Sequence, residues 1–196
     1  MYQPEWAKLL EGRMAKSTVE HIVRSASRHA DDISLLCRMV LDEHTEPRQA
    51  MYATWVLTHV SQPDKLQHVA PLRDAFIDRV LAPNLPFRPG LLLTLVYDLP
   101  EPSEPRMDLL DYCLANIANE HMHDSCRAMF IKLAARKCRP YPELTAELHA
   151  ILNLLPPGQP PSIECAKRKA MQGGRKTKRL VDKRSRHGLK AQRLCK

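Results

Sequence analysis

The sequence lacks any long hydrophobic run. Its longest apolar stretch among 196 residues lies near 91–97, whereas a membrane-spanning helix needs roughly 18 apolar residues. The N-terminal residues 2–6 show no basic region followed by an apolar stretch, so no secretory signal is expected there. These absences argue against a membrane or secreted protein, and we expect a cytoplasmic location.

Closely spaced cysteine pairs are also missing. The six cysteines include no C-x-x-C, and the gaps between them are wide and irregular. Cys37 and Cys113 fall inside apolar helical patterns, where a thiol behaves as a small hydrophobic group. We therefore expect reduced, buried thiols and no disulfide scaffold.

Glycine is scarce, and this scarcity favours helices. The chain has 6 glycines, of which Gly173, Gly174 and Gly188 lie near the C-terminus, while most of its 16 prolines fall between periodic segments. Apolar residues recur every three or four positions, as in a helix with one buried stripe. Residues 91–97 alone also fit a buried strand, but a lone strand would have no partner. The predicted fold class is all-α.

The predicted helices come in pairs. First helices are expected at about 31–42, 66–82, 106–118 and 142–154, with second helices at about 47–61, 88–98, 124–138 and 161–171; a further pair at about 4–13 and 17–29 precedes them. Asp31-Asp32 and Asp124-Ser125 are predicted to cap two of these helices. A recurring two-helix unit is typical of a solenoid, in which each pair packs only on its neighbours.

Three second-helix segments carry a resemblance to a known family. Residues 47–53 (PRQAMYA) and 124–130 (DSCRAMF) place a basic residue before small and apolar positions, and residues 162–168 (SIECAKR) are a weaker third match. In this the chain resembles HEAT-like (armadillo-type) helical repeat proteins, including small bacterial ones with no established activity. The sequence at 87–90 (FRPG) departs from the pattern. The resemblance implies a right-handed α-α superhelix of about four to five helix pairs over residues 1–172.

The resemblance also implies an interaction module. In such repeats the second helices form a surface for a protein partner, and no catalytic activity is expected. The residues predicted to be exposed there, and so to bind a partner, are Arg48, Gln49, Arg127 and Lys132.

Charge is distributed very unevenly along the chain. From residue 165 to 196 there are 13 basic residues and one acid, whereas the remainder has 17 basic and 21 acidic residues. Residues 173–196 are predicted to form a flexible basic tail, which gives an alternative function of sequence-independent nucleic-acid binding. The tail residues predicted to contact phosphate are Arg175, Lys176, Lys178, Arg179, Lys183, Arg184 and Arg186.

Two further hypotheses concern a metal site and an enzymatic activity. The segment 120–126 (EHMHDSC) holds possible Zn²⁺ ligands, His121, His123 and Cys126 among them, but its place between two helices favours a polar linker, so we expect no metal and no cofactor. A DNA-glycosylase-type enzyme built on HEAT-like repeats could use Trp6, Trp55 and Asp98. The acidic body disfavours a DNA groove, and Trp55 lies on an apolar stripe, where core packing is expected.

Overall fold

The computed structural model describes residues 4–102 and 104–172. Within these ranges every regular element is helical and no strand occurs, which confirms the predicted all-α fold class. Residues 91–97 lie inside a helix, so the strand interpretation of this run is excluded. In the part of the chain so described, no helix combines the length and the apolar character that crossing a membrane would demand.

The chain forms two compact units, Met1–Leu109 and Leu110–Lys196. The described elements of the first unit are a 3₁₀ helix (Glu5–Leu10), α1 (Lys16–Ala26), α2 (Ala30–Leu41), α3 (Pro47–His59), α4 (Gln62–Asp64), α5 (Arg73–Leu81) and α6 (Gly90–Asp98). Helix α7 (Met107–Asn116) begins in the first unit; α8 (Asp124–Cys138) and α9 (Pro142–Leu154) follow in the second. A further helix, α10, includes residues 161–172.

Helix packing in the first unit follows the predicted pairing. The pairs α2–α3 and α5–α6 pack within themselves, while α3 contacts α6 and α2 contacts α5. First helices thus lie against first helices, and second helices against second helices. This is the arrangement expected when two-helix repeats stack and bury their apolar stripes against their neighbours.

The core is built from the apolar stripes that the periodicity indicates. In α2, Ile33, Leu36, Cys37 and Val40 are at most 1% exposed. Cys113 is also fully buried, which confirms the predicted burial of these two cysteines. A buried thiol needs no partner, because it is only a weak hydrogen-bond donor.

The helix predicted at 66–82 is irregular over its first half. Helix α4 passes into a π-helical turn (Lys65–Val69) and a 3₁₀ turn (Ala70–Leu72) before α5 begins at Arg73. Pro71 lies in the 3₁₀ turn. A proline inside a helix cannot donate its backbone hydrogen bond and clashes with the carbonyl four residues earlier, so a regular α-helix cannot pass through this point.

The predicted cap at Asp31-Asp32 is wrong. Helix α2 begins at Ala30, and its N-cap residue, His29, makes no side-chain cap bond. Both aspartates lie in the first turn, where a negative charge still interacts favourably with the helix dipole. Asp32 is only 2% exposed, and its Oδ2 accepts a hydrogen bond of 2.9 Å from Trp6 Nε1. This carboxylate therefore joins the 3₁₀ helix to α2.

Candidate interaction surface

Helix α3 presents an aromatic stripe on the side that it does not bury. Tyr52 and Trp55 are half-buried and His59 is exposed, at positions i, i+3 and i+7 of the helix. The rings of Trp55 and His59 meet edge to face, with their centroids 6.4 Å apart. The opposite side, which includes Ala53, is buried. The aromatic rings are thus left as the partly solvated face of this helix.

Hydrogen bonds in the last turn of α3 hold this stripe in position. The Thr58 hydroxyl donates to the Trp55 carbonyl over 2.7 Å. His59 Nδ1 lies 3.1 Å from the same carbonyl and 3.0 Å from the Thr58 hydroxyl. The His59 ring is therefore anchored by its backbone neighbours, and its orientation beside Trp55 is fixed.

The neighbouring second helix, α6, adds a smaller set of half-buried side chains. Leu91, Thr94 and Tyr97 recur every three residues. The Thr94 hydroxyl donates to the Gly90 carbonyl over 2.8 Å, so its hydrogen bond is made within its own helix. Because α3 packs on α6, we treat Tyr52, Trp55, His59, Leu91 and Tyr97 together as one feature, called here the aromatic surface.

A buried lysine locks the two helices of this surface together. Lys65 has a side chain that is 5% exposed, and its Nζ donates to the Thr58 carbonyl over 2.8 Å and to Asp98 Oδ2 over 3.0 Å. Thr58 lies in the last turn of α3, and Asp98 is the last residue of α6. The ammonium group thereby fixes the ends of both helices, since a buried charge is tolerated only with such partners.

The predicted partner-binding residues of α3 lie beside this surface. Arg48 is exposed and stands one helical turn before Tyr52. Gln49 is half-buried, and its backbone N–H donates to Glu46 Oε2 over 2.9 Å, the cap that starts α3. Arg48 thus places a solvated cation at one end of the aromatic stripe.

The two residues predicted on α8 have different surroundings. The predicted exposure of Arg127 is wrong, because this residue is 5% exposed. Its Nε donates to the Ile117 carbonyl over 2.9 Å and its Nη2 donates to Gln159 Oε1 over 3.1 Å. Lys132 is exposed, and its Nζ lies 3.7 Å from Met129 Sδ. Arg127 therefore holds loops of the second unit together, whereas Lys132 faces solvent.

The three residues named for a glycosylase-type reaction lie in different surroundings. Trp6 is 2% exposed and bonded to Asp32, so it belongs to the core. Asp98 is paired with Lys65. The expectation that Trp55 packs in the core is corrected, because it is half-buried on the aromatic surface.

The histidine-rich segment before α8 forms a helix cap. The N-cap residue is His123, and its Nδ1 accepts from the Ser125 backbone N–H over 3.2 Å, so the predicted cap at Asp124 is wrong. Cys126 is buried inside the helix. Over residues 4–102 and 104–172, no group of three or more histidine, cysteine or acidic side chains is arranged to hold a metal ion.

A second charged cluster in the first unit centres on Arg106. Its guanidinium contacts Asp78 of α5 over 2.7 Å and Asp108 of α7 over 2.6 Å. Asp108 is the main cause of the raised pKa of Arg106, and the same hydrogen bonds lower the pKa of the Asp108 carboxyl. The arginine offsets part of the charge of these acids, and the cluster ties α5 to the start of α7.

Packed helix pairs and a partly solvated second-helix surface define the chain as a helical-repeat protein. Comparison with known families agrees: the HEAT repeat domain family matches residues 6–173, and the chain belongs to this family. No curated protein and no solved structure gave a match. HEAT repeats are helical modules on which binding surfaces are commonly built.

The aromatic surface is the part of the site that sequence reasoning missed. Tyr52 and Trp55 lie among apolar positions, and periodicity alone assigns such residues to the core. A signal was present, because α3 carries more apolar residues than one buried stripe requires. The predicted tail residues Arg175, Lys176, Lys178, Arg179, Lys183, Arg184 and Arg186 lie outside the described residues.

Proposed function

We propose that this chain is a cytoplasmic, non-enzymatic interaction module that binds a protein partner through the aromatic surface. The observation that carries the proposal is the partial exposure of Tyr52 and Trp55 side by side on a second helix, with Tyr97 on the next one. Aromatic residues make up only 5% of the chain. Leaving three of them partly exposed to water on two packed helices is unfavourable unless they bind a partner. Tyrosine, tryptophan and arginine dominate the binding energy of protein interfaces.

Charge supports a partner segment that combines apolar and acidic side chains. Helix α3 contains no acidic residue, while Arg48 is exposed near its start and His59 near its end. Two acids lie at the ends of these helices: Glu46 Oε2 accepts from the Gln49 backbone N–H at the start of α3, and Asp98 is paired with Lys65. A partner carboxylate could therefore pair with Arg48 while apolar side chains cover Trp55.

Rigidity of the surface also favours binding. Lys65 fixes the ends of α3 and α6, and the Trp55 carbonyl accepts the Thr58 hydroxyl. A surface that is already ordered loses little conformational entropy when it binds. The same ion pair occupies the carboxylate that a glycosylase-type reaction would need, which is why we favour binding over catalysis.

A selection experiment tests the proposal. A phage-displayed library of random peptides is selected against the full chain, and the enriched peptides are resynthesised for affinity measurement. We expect enrichment of sequences with apolar and acidic residues. Trp55→Ala or Tyr52→Ala should weaken these peptides by about tenfold or more, as for interface hot spots. Arg48→Glu should weaken binding most for the peptides that carry an acidic residue.

A matched control variant exists on the second unit. Tyr141 is 40% exposed and makes no side-chain cap bond at the start of α9. Tyr141→Ala should leave peptide affinity within about twofold, because Tyr141 is not part of the aromatic surface. Equal losses for Tyr141→Ala and Tyr52→Ala, or enriched peptides that bind Trp55→Ala normally, would overturn the proposal.

A further inference from the structure

The lysines and arginines of the second unit's helices lie on its second helices. From Leu110 onward, the first-helix elements carry Asp111, Glu143 and Glu147, all exposed, and no lysine or arginine. The second helices α8 and α10, with the residue that follows α8, carry basic residues at their solvated positions. These residues, called here the basic face, are Lys132, Arg136, Arg139, Lys167, Arg168 and Lys169.

Helix geometry places these basic residues on solvated sides. Lys132, Arg136 and Arg139 follow one another at i, i+4 and i+7, so they form one row along α8. In α10, Ile163 and Ala166 are at most 2% exposed and mark its buried side.

The solvated side of α10 continues this charge. Arg168 and Lys169 are exposed, and Lys167 is half-buried.

The two helices are neighbours in the second unit. Arg127, near the start of α8, donates to Gln159, which lies just before α10. As the second helices of consecutive HEAT repeats, α8 and α10 belong to one side of the stack, and first helices such as α9 belong to the other. The basic side of this unit therefore combines three residues of the net acidic range 1–164 with three of the basic C-terminal range 165–196.

We propose that the basic face binds the phosphate backbone of nucleic acid without reading its sequence. The six cations of the basic face outnumber the two acids on the same helices, Asp124 and Glu164, so this side stays net positive and attracts a polyanion. None of the six residues of the basic face is aromatic, so their side chains contact phosphate and do not stack on bases.

The sequence beyond α10 favours a long polyanion over an acidic protein segment. Residues 173–196 contain ten further lysines and arginines and a single acid. The positive charge of the basic face thus continues along the chain over a length that suits a nucleic-acid strand. In this proposal the folded helices contribute to binding, whereas the tail hypothesis assigns it to residues 173–196 alone.

The test measures binding of the full chain to a fluorescein-labelled RNA and to a labelled DNA duplex across a salt series. The face variant replaces Lys132, Arg139, Arg168 and Lys169 with glutamine. Its dissociation constant should rise on the order of tenfold at fixed salt, and the slope of log K against log[salt] should become shallower by about three.

A control variant changes the net charge equally in the first unit. It replaces the exposed residues Lys8, Arg13, Arg28 and Arg38 with glutamine, and its affinity should stay within about twofold of the original because these residues lie outside the basic face. Circular dichroism and a thermal melt verify that both variants fold. Equal losses in the two variants would show an effect of net charge alone and overturn the proposal.

Two other outcomes would also overturn it. In a tail variant, the seven predicted tail residues become glutamine in the full chain, and binding should weaken but persist. If the tail variant loses all binding at low salt, the affinity belongs to the tail. If the chain binds polyglutamate but neither nucleic acid, and the face variant loses that binding, the partner is an acidic protein segment.

Discussion

Lys65 Nζ lies 3.0 Å from Asp98 Oδ2 and 2.8 Å from the Thr58 carbonyl, and these two bonds join the ends of α3 and α6. The lysine is buried, while the aspartate side chain is 32% exposed. The two partners therefore differ in what their removal leaves behind. Loss of Asp98 leaves a buried cation with only one protein partner, whereas loss of Lys65 leaves a carboxylate that water can reach.

Asp98→Asn should therefore destabilise the protein by about 1–3 kcal/mol, the range for a buried polar group that loses a charged partner. Lys65→Met should cost less, because methionine retains an unbranched apolar side chain and leaves no buried charge. Urea denaturation of both single variants and the double variant measures the coupling. Additive effects in the double variant would show that the pair does not couple the two helices.

Trp6→Phe tests the bond between the 3₁₀ helix and α2. Phenylalanine retains much of the buried apolar area but removes the Nε1 donor, which leaves the Asp32 carboxylate buried without this bond. We expect a loss of about 1–3 kcal/mol in the free energy of unfolding. The double variant Trp6→Phe/Asp32→Leu should recover part of this loss, since no unpaired buried carboxylate remains. A double variant less stable than Trp6→Phe would contradict this assignment.

Arg127 and Arg48 occupy equivalent positions in the sequence pattern, but their replacement by glutamine should have different effects on stability. Arg127→Gln removes the bonds to the Ile117 carbonyl and Gln159 and should cost about 1.5–3 kcal/mol, as for hydrogen bonds of a charged group. Arg48→Gln should change stability by less than about 0.5 kcal/mol, because Arg48 is exposed. Thermal melts of both variants make the comparison, and similar melting temperatures would contradict it.

Thiol reactivity tests the buried cysteines. Burial raises the pKa of Cys37 and Cys113 to about 12 and that of Cys138 to about 11, so these thiols stay protonated at neutral pH. In a Cys195→Ser variant, the half-buried Cys165 should react with a thiol reagent first, and the buried cysteines should react only after denaturation. Rapid labelling of several thiols in the native protein would contradict the burial.

The same pKa shifts set a pH dependence of stability. The unfolded chain releases its thiol protons near pH ~8.5, whereas the folded protein retains them to a higher pH. Stability should therefore fall as pH rises above about 8.5. Cys37→Ala removes one of these groups, so its stability should fall less steeply over the same range. Equal slopes for the variant and the original protein would exclude a contribution from Cys37.

Some of the candidate site follows from the sequence, and some does not. Arg48 and Lys132 are exposed as predicted, because each stands on a polar position of a clear apolar period. Arg127 occupies a similar position in its segment, yet it is buried. Its partners, Ile117 and Gln159, come from loops whose paths no local pattern specifies.

The positions of the helices and their pairing follow from local patterns in the sequence. Apolar period and proline placement are local properties, so α3, α8 and α9 begin and end within two residues of the predicted bounds. Which polar groups are buried and which aromatic rings stay solvated depends instead on the tertiary structure. Lys65 meets Asp98, and Trp55 remains on a face, because helices distant in sequence pack together, and that packing sets burial.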